Sequence, residues 1–298
     1  MPIARLTHHL GLIILALLTM IGLTAATPAR AASPPVIALL TDYGNQDPYV
    51  SQLKGVILTI NPDARILDLT HEISPFNIAE GAYLLDQCSA EFPAGTIFVG
   101  VVDPQVGTER DAVLLETKRG TFFVGPDNGL FTQVVDHQGI LNAWKLDKPQ
   151  YFRPGATSHT FHGRDVFGPI AAHLAAGVDP DKLGTPIKTF TMLPVKEPTF
   201  ANGTISVGVL HIDRYGNIIL NLDRDSEAAG KLKEGNLVKI SFGKQTASGP
   251  LMKAYGDIEK GRLILLYGGN NLLEIAMNQG SAAKELKIQP GDIIFLKP

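Results

Sequence analysis

Two carboxylates in the first half of the chain close apolar runs. Asp42 ends PVIALLTD and Asp103 ends GTIFVGVVD, so each is expected at the C-terminal end of a buried strand. A carboxylate placed there can accept hydrogen bonds from the two hydroxyls of a ribose, and it can equally do no more than terminate its strand. Asp103 also opens DPQVGTER, where Pro104 and Gly107 shape a tight loop and Arg110 can fold back on the carboxylate. That pair is a loop-stapling salt bridge on its plainest reading; as chemistry, it is a carboxylate held beside a fixed cation. His162 lies in TFHGRD ahead of a helical stretch, with Arg164 and Asp165 read as a local ion pair. Asp68 and His71 in LDLTH read as a turn pair. Asp127-Asn128-Gly129 reads as a turn through its Asn-Gly signal, and Asp213 to Asn217 as a hairpin turn between two β runs.

Other chemistries are excluded by what is missing. Neither Gly-x-Gly-x-x-Gly nor a Walker loop occurs, and there is no His-Glu-x-x-His. Cys88 is the single cysteine, which rules out an intramolecular disulfide and a cysteine-rich zinc site. Asp42, His71, Asp103 and His162 could in chemical terms hold a metal, yet they lack any diagnostic ligand spacing, so no metal or other cofactor is expected. With 26 Lys+Arg against 29 Asp+Glu, the chain has no basic sheath for nucleic acid.

The elements that must position these residues follow from periodicity. Residues 35–42 form a strand, 48–60 a helix with Pro48 in its first turn, 64–71 a second strand, 78–88 a helix and 95–102 a third strand. The strands AVLLET and TFFVGP and a helix near 129–137 come next. This alternation predicts an α/β domain over 35–190, a mostly parallel sheet flanked by helices, with ligands at the carboxyl ends of the strands. Prolines 186, 194 and 198 and Gly203 mark a break. Beyond it, short apolar runs separated by Gly, Asn and Asp predict a small all-β domain over 200–298.

The net charge of −3 conceals an asymmetry. Residues 1–31 hold Arg5 and Arg30 and no acidic residue, so 24 basic against 29 acidic residues, or −5, remain on the other 267. Arg5, the apolar run Leu10 to Leu23 and Ala29-Arg30-Ala31 have the layout of a cleavable secretory signal peptide. The run is shorter than the ~20 residues of a membrane span. The expectation is an exported protein, periplasmic or secreted, cleaved after Ala31, with no stable membrane anchor.

TDYG, DPYVSQLKGVI, INPDARILDLTHEISPF, GTIFVGVVDPQVGTER, GPDNGL, TFHGRD and DRYGNIILNL occur in that order. In these motifs, spread over 35–298, the chain resembles the S-adenosyl-L-methionine (SAM) hydroxide adenosyltransferases, the adenosine-forming SAM hydrolases related to fluorinases and chlorinases. The resemblance implies an α/β domain followed by a β-barrel, a homotrimer with active sites between subunits, and a small-molecule nucleoside substrate. It implies displacement of methionine from C5′ of the ribose by water or hydroxide. Asp103, Arg110 and His162 match the catalytic triad of the hydrolase branch. Asp103 and His162 would accept the water's hydrogen bonds and take up its proton, while Arg110 fixes Asp103.

By the same resemblance Asp42 holds the ribose hydroxyls, Asn217 contacts adenine and Asp213 contacts the methionine ammonium. Phe76 and Tyr215 line the pocket, Tyr255 packs on adenine, and Asn278 with the backbone of Gln279 reads the adenine edge. Gly163 stands where the halogenases carry a halide-binding hydroxyl residue, which makes halogenation the weakest reading. Gln105 replaces a usual glycine, and Gly269 a serine that helps bind the methionine carboxylate. These departures, with the leader, keep an exported nucleoside-binding protein of weak or lost catalysis as the alternative.

Overall fold

The computed structural model describes residues 34–298 except 156 and 195; the expected signal peptide, 1–31, lies outside the described residues. The N-terminal domain is a seven-stranded sheet between two layers of helices. Its strands are β1 (Val36–Thr41), β2 (Arg65–Thr70), β3 (Ile97–Val101), β4 (Ala112–Thr117), β5 (Phe122–Pro126), β6 (Ile140–Lys145) and β7 (Thr185–Pro186), in the order β2-β1-β3-β5-β4-β6-β7. The helices are α1 (Tyr49–Ile60), α2 (Ile78–Ser89), α3 (Thr132–Gln138), α4 (Gly168–Ala175) and α5 (Pro180–Leu183).

The run Val36–Leu40 of strand β1 shows why it is apolar. Ile37 and Leu39 pack with Leu53 and Ile57 of α1 and Ile170 of α4, while Ala38 and Leu40 pack with Leu85 of α2 and Val134 of α3. Successive side chains alternate between faces, and both faces are covered, so no position is left for a polar residue. Helix α2 starts at Asn77, whose side chain accepts from the Glu80 N–H at 3.1 Å, an N-cap that satisfies an otherwise orphaned donor.

The sheet is mixed, which corrects the expectation of a mostly parallel one. Strands β2, β1, β3 and β5 run parallel, and β4, β6 and β7 join through antiparallel pairings. Four residues, 118–121, separate β4 from β5. A parallel pairing needs a crossover of a dozen or more residues, so this pair can only be a hairpin. The turn at Asp127-Asn128-Gly129 leads from β5 towards α3. Asn128 is buried there, donating to Val102 O at 2.8 Å and accepting from Leu130 N–H at 3.2 Å.

The C-terminal domain is antiparallel: β8 (Thr199–Ala201), β9 (Thr204–Ile212), β10 (Ile218–Asp223), β11 (Leu237–Phe242), β12 (Gln245–Pro250), β13 (Leu263–Tyr267), β14 (Leu272–Met277) and β15 (Ile293–Lys297), with the short helix α6 (Ala282–Leu286). The order β12-β11-β15-β9-β10-β14-β13 is nearly closed into a barrel by a bridge between Leu251 and Leu265. Alternate residues of β9 and β10 (Ile205, Val207, Val209, Ile218, Leu220, Leu222) fill its core. The two domains are joined by a hydrogen bond between Glu80 Oε1 of α2 and His211 Nδ1 of β9, 2.6 Å apart. No described helix is long and apolar enough to cross a membrane.

Candidate active site

The chain leaves β1 through α1 to β2 on one side and returns through α2 to β3 on the other, so the sheet order reverses between β1 and β3. Ligands of open α/β sheets gather outside such a switch point. Asp42 and Asp103 emerge there, and the Asp42 N–H donates to Val101 O at 3.3 Å. Next to them lies a cleft of about 470 Å³, whose walls include Asp42, Tyr43, Phe76, Asp103, Phe161 and His162. That is the size range of a small-molecule pocket.

The loop after β3 brings Arg110 back onto Asp103, as its spacing predicts, and the contact reaches further. Arg110 Nη2 donates to Asp103 Oδ2 and, at 3.0 Å, to His162 Nδ1; its Nη1 donates to Asp111 O at 2.8 Å. The guanidinium also lies 5.5 Å from the centre of the Phe167 ring. The ion pair is buried, with 3% and 5% of the Arg110 and Asp103 side chains exposed. Burial raises the Asp103 pKa above the usual carboxylate value against the opposing charge of Arg110. Burial, with the Arg110 charge second, lowers that of His162 below 6.5, so the ring is neutral at pH 7.

A guanidinium can only donate, so His162 Nδ1 must be the acceptor and the neutral ring carries its proton on Nε2. His162 is therefore a hydrogen-bond donor to whatever meets Nε2, which alters the expectation that it accepts from the nucleophile. Asp103 Oδ1 is the acceptor left over, buried and without a partner among the described residues.

His162 is set by the turn that follows it. Residues Gly163–Phe167 form a π-helical turn leading into α4, a local widening common at functional sites. Asp165, fully buried, anchors this turn through Arg164 at 2.7 and 3.0 Å and the Ser158 N–H at 2.8 Å. On the facing loop Gly107 has φ +77°, and any Cβ there would strike His159 O, so only glycine lets the two loops meet. Gln105, by contrast, is exposed and free of left-handed backbone, so the loop accommodates it where glycine is usual.

Asp42 Oδ2 accepts the Phe76 N–H at 2.9 Å. This bond holds Phe76 at φ +67°, a strained value for a bulky residue, with 69% of it exposed at the cleft wall. Burial raises the Asp42 pKa. Asp68 and His71 are the structural pair expected: His71 Nδ1 is 2.9 Å from Thr41 Oγ1 and its Nε2 is 3.0 Å from Asp68.

The C-terminal candidates form a second cluster, and none of them lines the cleft. Asp213 Oδ1 accepts the N–H groups of Tyr215 and Asn217 at 2.9 and 2.8 Å, and Asn217 Nδ2 donates to Asp213 Oδ2 at 2.9 Å, which shapes the β9–β10 hairpin. Tyr255 donates to Glu274 at 2.8 Å and lies 3.5 Å from Asn217 Nδ2. Tyr215 is 77% exposed. Asn278 donates to Ile258 O at 2.6 Å, and Gln279 has φ +55°. Glu274 was not singled out from the sequence. Its signal is slight, one acidic residue in the apolar strand LLEIA, yet it is half-buried and burial raises its pKa.

The model for the N-terminal domain of SAM hydroxide adenosyltransferases matches residues 37–184, and that for the C-terminal domain matches 207–295. The chain belongs to this family. An (R)-S-adenosyl-L-methionine hydrolase of Methanocaldococcus jannaschii is 37% identical over 262 residues, 85% of this chain and 92% of its own. A fluorinase of an Actinoplanes species is 27% identical, over 86% and 95% of the two chains. A solved structure of an uncharacterized conserved protein from Thermotoga maritima superposes with a TM-score of 0.84 at 35% identity, covering 88% of this chain and all of that one.

Proposed function

We propose that the protein hydrolyses S-adenosyl-L-methionine to adenosine and L-methionine. The observation that carries this reading is the buried Asp103–Arg110–His162 constellation in the same cleft wall as Asp42. Asp42 receives the ribose 2′- and 3′-hydroxyls, which sets C5′ before the triad. A water there gives one hydrogen to Asp103 Oδ1 as its oxygen attacks C5′. The O–C5′ bond forms, the C5′–S bond breaks with its electron pair going to sulfur, and the proton rests on Asp103.

Sulfur leaves as a neutral thioether, so departure needs neither a general acid nor a cofactor. The protein's part is to orient and desolvate the water, an effect of about 7–11 kcal/mol when fully realised. Arg110 stabilises the charge on Asp103, and the His162 Nε2–H and nearby cation favour the developing hydroxide.

The C-terminal set serves the same reaction from a neighbouring copy. Their absence from the cleft of their own chain supports a homotrimer in which Asn217, Asn278 and Gln279 of one subunit read the adenine held by the next and Tyr255 packs on it, with Asp213 and Tyr215 closing round the methionyl end. The layout of residues 1–31 supports export, which N-terminal sequencing of the mature protein tests.

The deciding experiment incubates purified protein with SAM, as separate sulfonium epimers and with halide present, and separates the products by chromatography. Adenosine and methionine in equal amounts support hydrolysis. Halo-adenosine would identify a halogenase, and bound nucleoside without turnover a binding protein.

A further inference from the structure

Gly163 follows His162 directly, and the reason no side chain stands there is a neighbour: a Cβ at this position would overlap the hydroxyl of Tyr43. Tyr43 reaches this place from the end of β1, one residue beyond Asp42. Its ring is fixed by edge-on contacts with Tyr49 and Phe161, centroids 5.9 and 5.6 Å away, and its N–H is bonded to Thr41 Oγ1 at 3.2 Å. The tyrosine lines the cleft, and its hydroxyl makes no hydrogen bond among the described residues. Burial, and then the Asp42 and Asp103 carboxylates, push its pKa far above that of an ordinary phenol, so the group stays protonated and can donate.

We propose that the Tyr43 hydroxyl completes the nucleophile pocket, donating a hydrogen bond to the attacking water and filling the space that a hydroxyl-bearing side chain at residue 163 would need. The inference deepens the hydrolase reading and rests on it. As the water's proton passes to Asp103 Oδ1, its oxygen acquires a third lone pair. One pair attacks C5′, and the other two accept from His162 Nε2–H and Tyr43 O–H. The tyrosine bond therefore strengthens as charge develops, which is the condition for raising kcat rather than only binding substrate. The same hydroxyl makes position 163 and position 43 a coupled choice: a serine at 163 fits only when the phenol oxygen is gone, since the nearest remaining ring atom is then 3.3 Å from the new Cβ.

The test is a double-mutant cycle of Tyr43→Phe and Gly163→Ser, read as adenosine release from SAM and as thermal stability. Tyr43→Phe keeps the ring packing, so KM and Tm are expected to hold while kcat falls about 10- to 100-fold, the effect of one charge-assisted hydrogen bond. Gly163→Ser alone is expected to lower Tm, and to do so much less in the Tyr43→Phe background. A Tyr43→Phe variant with wild-type kcat overturns the donor role, and additive Tm losses overturn the shared space. Wild-type protein that releases no adenosine overturns the hydrolase reading itself, and this is settled before any variant is made.

Discussion

Asp103→Asn keeps the shape of the side chain while removing its charge and its capacity to take a proton. Two consequences can be sized. Loss of a general base in a displacement reaction lowers kcat by about 10²- to 10⁴-fold. KM should hardly change, because in the proposed reaction the nucleoside is held by Asp42 and the C-terminal cluster. Stability falls as well: the ion pair with Arg110 is nearly closed to solvent, and removing one charge of a buried pair costs about 3–5 kcal/mol. The amide oxygen of asparagine can still accept from Arg110 Nη2, which offsets about 1 kcal/mol. The net loss of about 2–4 kcal/mol corresponds to a Tm lower by roughly 4–16 °C, at about 2–4 °C per kcal/mol for a chain of this size. The assay is adenosine release at saturating SAM, well below the variant's Tm, with calorimetry on the same sample. A folded variant that keeps kcat within tenfold of wild type refutes Asp103 as the base.

The pH profile follows from the same groups. Asp103 must be ionised, with its pKa above 3.8, and His162 must be neutral, with its pKa below 6.5; kcat should therefore be flat at neutral pH and fall on the acid side. Protonating His162 would also break the bond from Arg110, so the stability that His162 contributes should decline as pH drops below about 6.5, where the unfolded chain takes up a proton that the folded one refuses. A profile that rises into the acid range contradicts the assignment. Co-expression of Asp103→Asn chains with Asn217→Ala chains should restore about a quarter of wild-type activity, the share of inter-subunit sites that draw an intact half from each of two randomly mixed copies; no recovery would place both halves of the site in one chain. A Cβ at Gly269 meets open space, so Gly269→Ser should fold normally and lower KM for SAM about tenfold through a new bond to the substrate carboxylate, which an unchanged KM would disprove.

Local patterns in the chain already determined a good deal. The apolar run ending at Thr41 had to be a strand covered on both faces, and its end had to present Asp42, because hydrophobic period and strand termination are short-range properties. Arg110 could be paired with Asp103 from a seven-residue spacing across a Pro/Gly loop. The hairpin at Asp213 was legible for the same reason. The ordered motifs carried the family.

Tertiary structure decided what depends on the meeting of distant segments. Whether β4 runs parallel or antiparallel depends on the few residues before β5, which override the strand–helix rhythm. His162 becomes a donor because Arg110, 52 positions away, reaches its Nδ1. The missing side chain at Gly163 has no explanation in its own neighbourhood of sequence; the hydroxyl that occupies its space belongs to Tyr43. The candidates between residues 213 and 279 look like parts of the site along the chain, yet they stand outside the cleft of their own chain, because packing in space and not order in sequence sets which groups share a pocket.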